Sequence, residues 1–286
     1  MVSLIRASGS GLERPALMRL RRNVSLLIGG ALVAAMIVTG IFGPLIAHHD
    51  PLAINLKLAL SGPISGHPLG CDALGRDLLA RLMYGARLSL AVSVSVVALS
   101  LIVGSMIGGS AALAGGHVDS IVMRFVDIVL AFPGFLLAIA LAAILGPGLT
   151  DLVIALTAMG WTGYARLVRG EVLSLREREY VQAAHTLGAT PSRILLRHLL
   201  PGIAGPVAVQ ATFGVGGIIV AEASLSFLGL GVMPPTPSWG NMLDAGRAFL
   251  LVAPHLTTAP GLAIGLSVLG FNLLGDGLAQ LAGRRS

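Results

Sequence analysis

The side chains in this sequence that could carry out chemistry are few and scattered. Glu222, Gln210 and Asn272 stand within or at the end of long apolar stretches, and Asp127 and Asp151 stand near the ends of others. Polar groups at membrane depth are costly and often functional, so we predict that Glu222, Gln210 and Asn272 line a translocation path. Alternatively, Glu222 bonds the glycine-rich loop that follows it, and the two amides bond neighbouring helices.

Metal, redox and nucleotide chemistry are not favoured by the remaining reactive groups. His48, His49 and His67 show no spacing with a third ligand, so we predict no metal site. Cys71 is the single cysteine, which excludes an intramolecular disulfide. Lys57 is the only lysine, and no glycine-rich phosphate cradle precedes it. We therefore predict no catalytic residue and no cofactor within this chain, which argues against a membrane-embedded enzyme.

The composition indicates which elements must position these groups. Of 286 residues, 55% are hydrophobic and 11% are charged, with a mean hydropathy of +0.88. Soluble domains carry roughly a quarter charged residues, so this chain needs lipid around it. Because backbone groups in lipid must be bonded within their own element, we predict an all-α polytopic membrane protein.

Six apolar stretches are long enough to be transmembrane helices. They cover residues 24–47, 88–114, 126–147, 149–168, 202–222 and 256–276. The resulting division is a cytoplasmic segment 1–23, a first helix 24–47, an external loop 48–87, a core of five helices 88–278, and a cytoplasmic tail 279–286. Glycines such as Gly104 and Gly108 favour close packing of helices, and Pro133 predicts a kink.

The basic residues alternate between the two sides of such a bundle. Fourteen of the 19 fall before the first stretch, between the second and third, around the loop after the fourth, and at the chain end. By the positive-inside rule that side is cytoplasmic, so both termini are predicted to lie there. The basic residues are not clustered with aromatic platforms, which argues against nucleic-acid binding.

The longest hydrophilic segment on the predicted cytoplasmic side, residues 169–201, has its own helical signals. Residues 179–187 contain no helix breaker, and Gly188 follows in a position suited to a left-handed cap. Thr190 and Pro191 then predict the start of a second short helix through Leu199, and Pro201 leads into the next span. The small side chains of this segment would let another protein approach closely.

This segment resembles the "EAA" loop of the permease subunits of bacterial ATP-binding cassette (ABC) importers. The family pattern is Glu-Ala-Ala, three residues, Gly, nine residues, Ile, one residue, Leu-Pro. Here Gln182-Ala183-Ala184, Gly188 and Leu200-Pro201 keep that spacing, with Gln182 in place of Glu and His198 in place of Ile. The resemblance implies that the loop docks on an ATPase, and that its contact residues are Tyr180, Gln182, Ala183, Ala184, Gly188, Leu200 and Pro201.

Three other stretches resemble the C-type permeases of the dipeptide, oligopeptide and nickel importers. They are residues 67–77 with 84–87, residues 222–231 with 234–240, and residues 271–276. The first contains Asp72, Arg76 and Asp77, which we predict either to dock an external binding protein or to form a purely structural loop. The resemblance extends over residues 67–278 and implies the transmembrane domain of a type I ABC importer.

The resemblance implies that this chain forms the translocation pathway together with a homologous B-type permease in the bacterial cytoplasmic membrane. Two ABC ATPase subunits would bind ATP and Mg²⁺, and an external solute-binding protein would deliver the solute. Sparse histidine and methionine in the spans favours di- or oligopeptides as substrates, with nickel or a nickel chelate as the alternative. A secondary transporter without an ATPase is a remote alternative.

Overall fold

The computed structural model describes residues 13–282, so the two predicted terminal segments, 1–23 and 279–286, are covered only in part. Within that range the regular structure is helical, with isolated bridges rather than strands. The helices are α1 Glu13–Ile46, α2 Leu78–Ala114, α3 Gly116–Ala131, α4 Gly134–Leu145, α5 Leu149–Arg176, α6 Glu179–Thr186, α7 Pro191–Ile194, α8 Leu200–Gly202, α9 Ala204–Phe227, α10 Trp239–Arg247 and α11 His255–Ala282. The all-α prediction is confirmed.

Helices of membrane-spanning length and composition are fewer than the six predicted. Among the described residues, α2, α9, α11 and the Val24–Ile46 part of α1 are long and apolar enough, which makes four, or five if α3 and α4 count as one bent span. Helix α5 has 28 residues, enough to cross a bilayer core. Its mean hydropathy is too low for a spanning helix by composition, because it contains charged residues such as Asp151, Arg166 and Arg169.

The predicted third span, residues 126–147, is not one straight helix, and its helical part begins earlier, at Gly116. The chain forms α3 and α4 instead, bent by 83° at the break between them. Pro133 stands at this break with φ −58° and ψ 110°, and no side chain caps α4. Proline cannot donate a backbone hydrogen bond, and it pushes the residue before it out of the helical region, so the kink predicted at Pro133 is confirmed.

Helix α2 begins at Leu78 rather than at residue 88, which shortens the loop after α1. Asp77 caps the helix by accepting a hydrogen bond from the Ala80 N–H at 2.6 Å. The charge of Arg81, which lies inside α2, is satisfied by Asp72 at 3.5 Å and by the carbonyl oxygen of Pro51 at 3.2 Å. Helix α2 therefore has 37 residues and is about 55 Å long.

Glycines let the long helices approach closely, as the sequence predicts. A Cβ on Gly104 would lie 2.5 Å from the carbonyl oxygen of Trp161, and one on Gly108 would overlap the backbone of Ala165. Helices α2 and α5 are therefore packed backbone to backbone and run parallel. Without a hydrophobic force between helices in lipid, such close contact is the main source of their association.

The two ends of the described chain lie at the same end of the bundle. Gly277 near the end of α11 packs against Leu26 of α1, and Gly270 packs against Leu32, so α1 and α11 run antiparallel. We call this the α6 end, because α6 also packs there, and the opposite end, where α2 begins, the loop end.

Candidate functional site

The segment predicted to receive a partner folds as α6, α7, a π-helical turn Leu195–Leu199, and α8. Helix α6 begins and ends within one residue of the predicted bounds. The predicted second helix is divided, because α-helical bonding gives way to π bonding after Ile194. Pro201 lies in α8, and Ile203 separates that turn from α9.

Gly188 adopts the left-handed conformation that the sequence predicts. Its φ is +80°, and the N–H of Ala189 donates to the carbonyl oxygen of Ala184 at 3.1 Å. This six-residue closure is a Schellman motif, which requires a residue of positive φ at the position of Gly188. The turn fixes the direction in which the chain leaves α6.

The start of α7 also follows its sequence signals. The hydroxyl oxygen of Thr190 accepts a hydrogen bond from the N–H of Arg193 at 3.4 Å, and Pro191 stands at the first helical position. The N–H of Ile194 donates to the carbonyl oxygen of Thr190. Two capping residues thus separate the short helices: Gly188, in the left-handed conformation, ends α6, and Thr190 caps the start of α7.

A small apolar core joins this segment to the bundle. Its buried members from the segment and its exit are Val181, Ile194, Leu199 and Ile203. They pack against Val168 and Val172 of α5 and Ala112 of α2, all of them buried. Val181 therefore connects α6 to α2 and α5 through packed side chains.

The opposite face of α6 is open. Tyr180, Gln182 and Ala183 are exposed, and Ala184 is half-buried. Gln182 donates to the carbonyl oxygen of Glu177 at 3.3 Å, a bond that leaves the surface of α6 accessible. Gly188 and Pro201 are also exposed, while Leu200 is half-buried. Most of the predicted contact residues are therefore accessible, and their contact with an ATPase stays a prediction.

Two ion pairs beside this core were not foreseen from the sequence. Arg169 of α5 binds Asp119 of α3 through two parallel hydrogen bonds of 2.6 Å, and Arg166 donates to Asp127 at 2.6 Å. Arg176 donates to the carbonyl oxygen of Ala112 at 3.3 Å. Acidic residues in α3 and arginines in α5 were visible, but their pairing depends on how α3 folds back. The bidentate geometry fixes α3 against α5.

Glu222 lies inside the chain, where it is 0% exposed. One carboxylate oxygen accepts from the Ser89 hydroxyl at 2.9 Å and the other from the Ser226 hydroxyl at 3.0 Å. These partners are side-chain hydroxyls of α2 and α9, and not the backbone of the following loop. In this conformation Glu222 ties α2 to α9 and is enclosed by the chain.

Gln210 and Asn272, the other predicted path residues, lie on the neighbouring helices α9 and α11. Both side chains are exposed on the surface of the described chain. They are therefore accessible to a solute or to a second subunit, and the structure does not bring them together with Glu222. Their role in a translocation path stays a prediction.

The charges at the loop end are largely satisfied within the chain. The Arg76 side chain donates to Asp72 at 2.7 Å, and Asp77 caps α2 while its second oxygen lies 2.6 Å from Nδ1 of His67. Asp77 is buried, and Asp72 and Arg76 are only partly exposed. This arrangement favours the structural alternative for the loop, and binding-protein docking stays a prediction.

Comparison with known proteins shows which family has this architecture. Residues 100–286 match the model of the binding-protein-dependent transport system inner membrane component family. Residues 14–63 match the N-terminal transmembrane domain of oligopeptide transport permease C. The two matches together leave residues 1–13 and 64–99 uncovered, and they include the first helix, where the sequence alone offered no diagnostic motif.

Individual relatives agree with the family models. The dipeptide transport system permease protein DppC of Alkalihalophilus pseudofirmus is 43% identical over 93% of this chain and 87% of its own length. The glutathione transport system permease protein GsiD of Shigella dysenteriae serotype 1 is 43% identical over 91% and 86%. A chain of the MetNI methionine ABC transporter, in an inward-facing crystal form, has the same fold, with a TM-score of 0.57 and 19% identity over 70% of this chain and 95% of its own. The chain therefore belongs to the binding-protein-dependent transport system inner membrane component family, as a multi-pass ABC transport permease resembling permease C of the oligopeptide systems.

Proposed function

We propose that this chain is one of two homologous permease subunits of an ATP-driven importer for short peptides, and that α6 receives the motion of an ATPase. The observation that carries the proposal is the two-sided character of α6. One face is open, while the other is packed into the small core that it shares with α2 and α5. A rigid helix with one free face can transmit a shift of a docked partner to the elements behind it.

The energy source in this proposal lies outside the chain. ATP and Mg²⁺ would be bound by two ABC ATPase subunits, one for each permease, since this chain has no phosphate-binding loop. Binding of ATP would move the ATPases, and the motion would pass from α6 through Val181 and Leu199 to the long helices. The pathway would then open alternately to the two sides of the membrane.

The orientation follows from the charge distribution. Most basic residues of the described helices fall at the α6 end, at the start of α1, in α5 and in the segment that follows α5. This distribution supports a cytoplasmic position for that end. The loop end would face outward and meet a solute-binding protein. The membrane would be the bacterial cytoplasmic membrane, and the second permease would be of the B type.

The substrate class is inferred from the relatives. Those at 43% identity are named for dipeptide and for glutathione transport, and glutathione is itself a short peptide. Substrates that differ this much among equally similar permeases suggest that recognition depends mainly on the binding protein. We therefore propose di- or tripeptides as the class.

Uptake by the reconstituted complex tests this function. The chain, its partner permease and the ATPases are reconstituted into liposomes that contain ATP, and the binding protein and labelled peptides are added outside. We expect accumulation that requires ATP and the ATPases, and that unlabelled di- and tripeptides compete away. Uptake that proceeds without the ATPases would contradict the ATP-driven mechanism, and uptake of nickel but not of peptides would contradict the substrate class.

A further inference from the structure

Two histidines and an aspartate meet at the loop end, far apart in sequence but close in space. One potential ligand atom from each of His49, His67 and Asp77 lies within 4.8 Å of the other two. His49 follows the end of α1, His67 stands in the connecting loop, and Asp77 caps α2. The sequence showed no third ligand for these histidines, because the aspartate belongs to the next helix.

The ligand positions are held by the surrounding backbone. The N–H and the carbonyl oxygen of His67 are both bonded to Ile64, at 3.0 and 3.1 Å. Oδ1 of Asp77 accepts from the N–H of Ala80 at 2.6 Å, which orients the carboxylate and leaves Oδ2 directed at Nδ1 of His67. The ring centroids of His49 and His67 are 4.4 Å apart. To hold a cation, the ring of His67 and the carboxylate of Asp77 would have to separate from their 2.6 Å contact.

The donor set selects a class of metal. Two imidazoles and one carboxylate suit a borderline divalent cation such as Zn²⁺, which commonly takes three protein ligands and one water. Ligand atoms around four-coordinate zinc lie about 3.3 Å apart, given bonds of about 2.0–2.1 Å. The neighbouring arginines, Arg76 and Arg81, are both paired with Asp72, so the positive charge that would oppose a cation is partly neutralised.

We propose that His49, His67 and Asp77 bind one Zn²⁺ ion that fastens the end of α1 to the start of α2. The ion would be a structural element, separate from the transported solute and from the α6 end. It would hold the loop after α1 in place when the long helices move. This inference does not depend on the substrate or on the ATPase contact.

Zinc binding by the purified complex tests the proposal. The complex, prepared with a tag that lacks histidine, is stripped with chelator, incubated with Zn²⁺ and dialysed, and its zinc content is measured. The variants are His49→Ala, His67→Ala and Asp77→Asn, the last of which keeps a side chain able to cap α2. His48→Ala is the matched control, because this adjacent histidine is exposed and lies outside the cluster.

We expect one zinc ion per chain in the wild type and in His48→Ala, and at least tenfold weaker binding in each of the other three variants. Co²⁺ in place of Zn²⁺ should give visible absorption bands that the His49→Ala and His67→Ala variants lack. Equal zinc content in the wild type and in a variant lacking both His49 and His67 would overturn the proposal. Loss of zinc in His48→Ala would overturn it as well.

Discussion

Replacing Gly188 by valine is expected to reduce ATP-driven uptake at least tenfold while leaving the chain in the membrane. Gly188 has a φ of +80°, a region that costs an ordinary residue roughly 1–2 kcal/mol and a β-branched residue more. Valine would open the turn between α6 and α7 and change the direction in which α6 is presented. Uptake and ATPase activity of the reconstituted complex measure the effect.

The matched control for this change is Gly188→Asn, because asparagine tolerates the left-handed region. A Cβ at this position meets no atom within 4 Å, so backbone conformation alone separates the two variants. We expect Gly188→Asn to retain most of the uptake. Full uptake by Gly188→Val would mean that the turn does not set the geometry of coupling.

Replacing Gly108 by alanine is expected to destabilise the chain by about 3 kcal/mol, in the upper range for overpacking. The added Cβ would overlap the carbonyl group and Cα of Ala165, and backbone cannot rotate away as a side chain can. Helices α2 and α5 would have to separate along their whole contact. The temperature at which half of the detergent-solubilised protein aggregates should fall by several degrees.

Gly163→Ala in α5 is the control for this second change. No atom lies within 4 Å of a Cβ at that position, and alanine is the better helix former by about 1 kcal/mol. We expect the control to melt at or above the wild-type temperature. Equal melting temperatures for Gly108→Ala and the wild type would show that the close contact of α2 and α5 contributes little.

Local signals were sufficient to predict the segment to which we assign the coupling function. The bounds of α6, the positive φ of Gly188 and the Thr190 cap all follow from residues within a few positions of each other. Such capping motifs are closed by short-range hydrogen bonds, so a single sequence contains the information they need.

The features that could not be predicted from the sequence depend on contacts between residues far apart along the chain. Helix α2 begins ten residues before the predicted start, because Arg81 is paired with Asp72 and can therefore lie within a helix. The Arg169 pairing with Asp119 joins residues fifty positions apart. The burial of Glu222 could not be predicted for the same reason, because its carboxylate is bonded to Ser89, 133 positions away.

Site-directed crosslinking at α6 tests the central claim, that this helix is the contact of an ATPase. The native Cys71 is 0% exposed, and burial raises the pKa of its thiol, so it should contribute little background. In the functional complex, Gln182→Cys should form an adduct with an ATPase carrying a matching cysteine. Leu251→Cys, fully exposed in the segment between α10 and α11, should form none. Absence of any adduct at Gln182→Cys in a complex that still transports, or labelling of that cysteine by an impermeant reagent added from outside, would contradict the account.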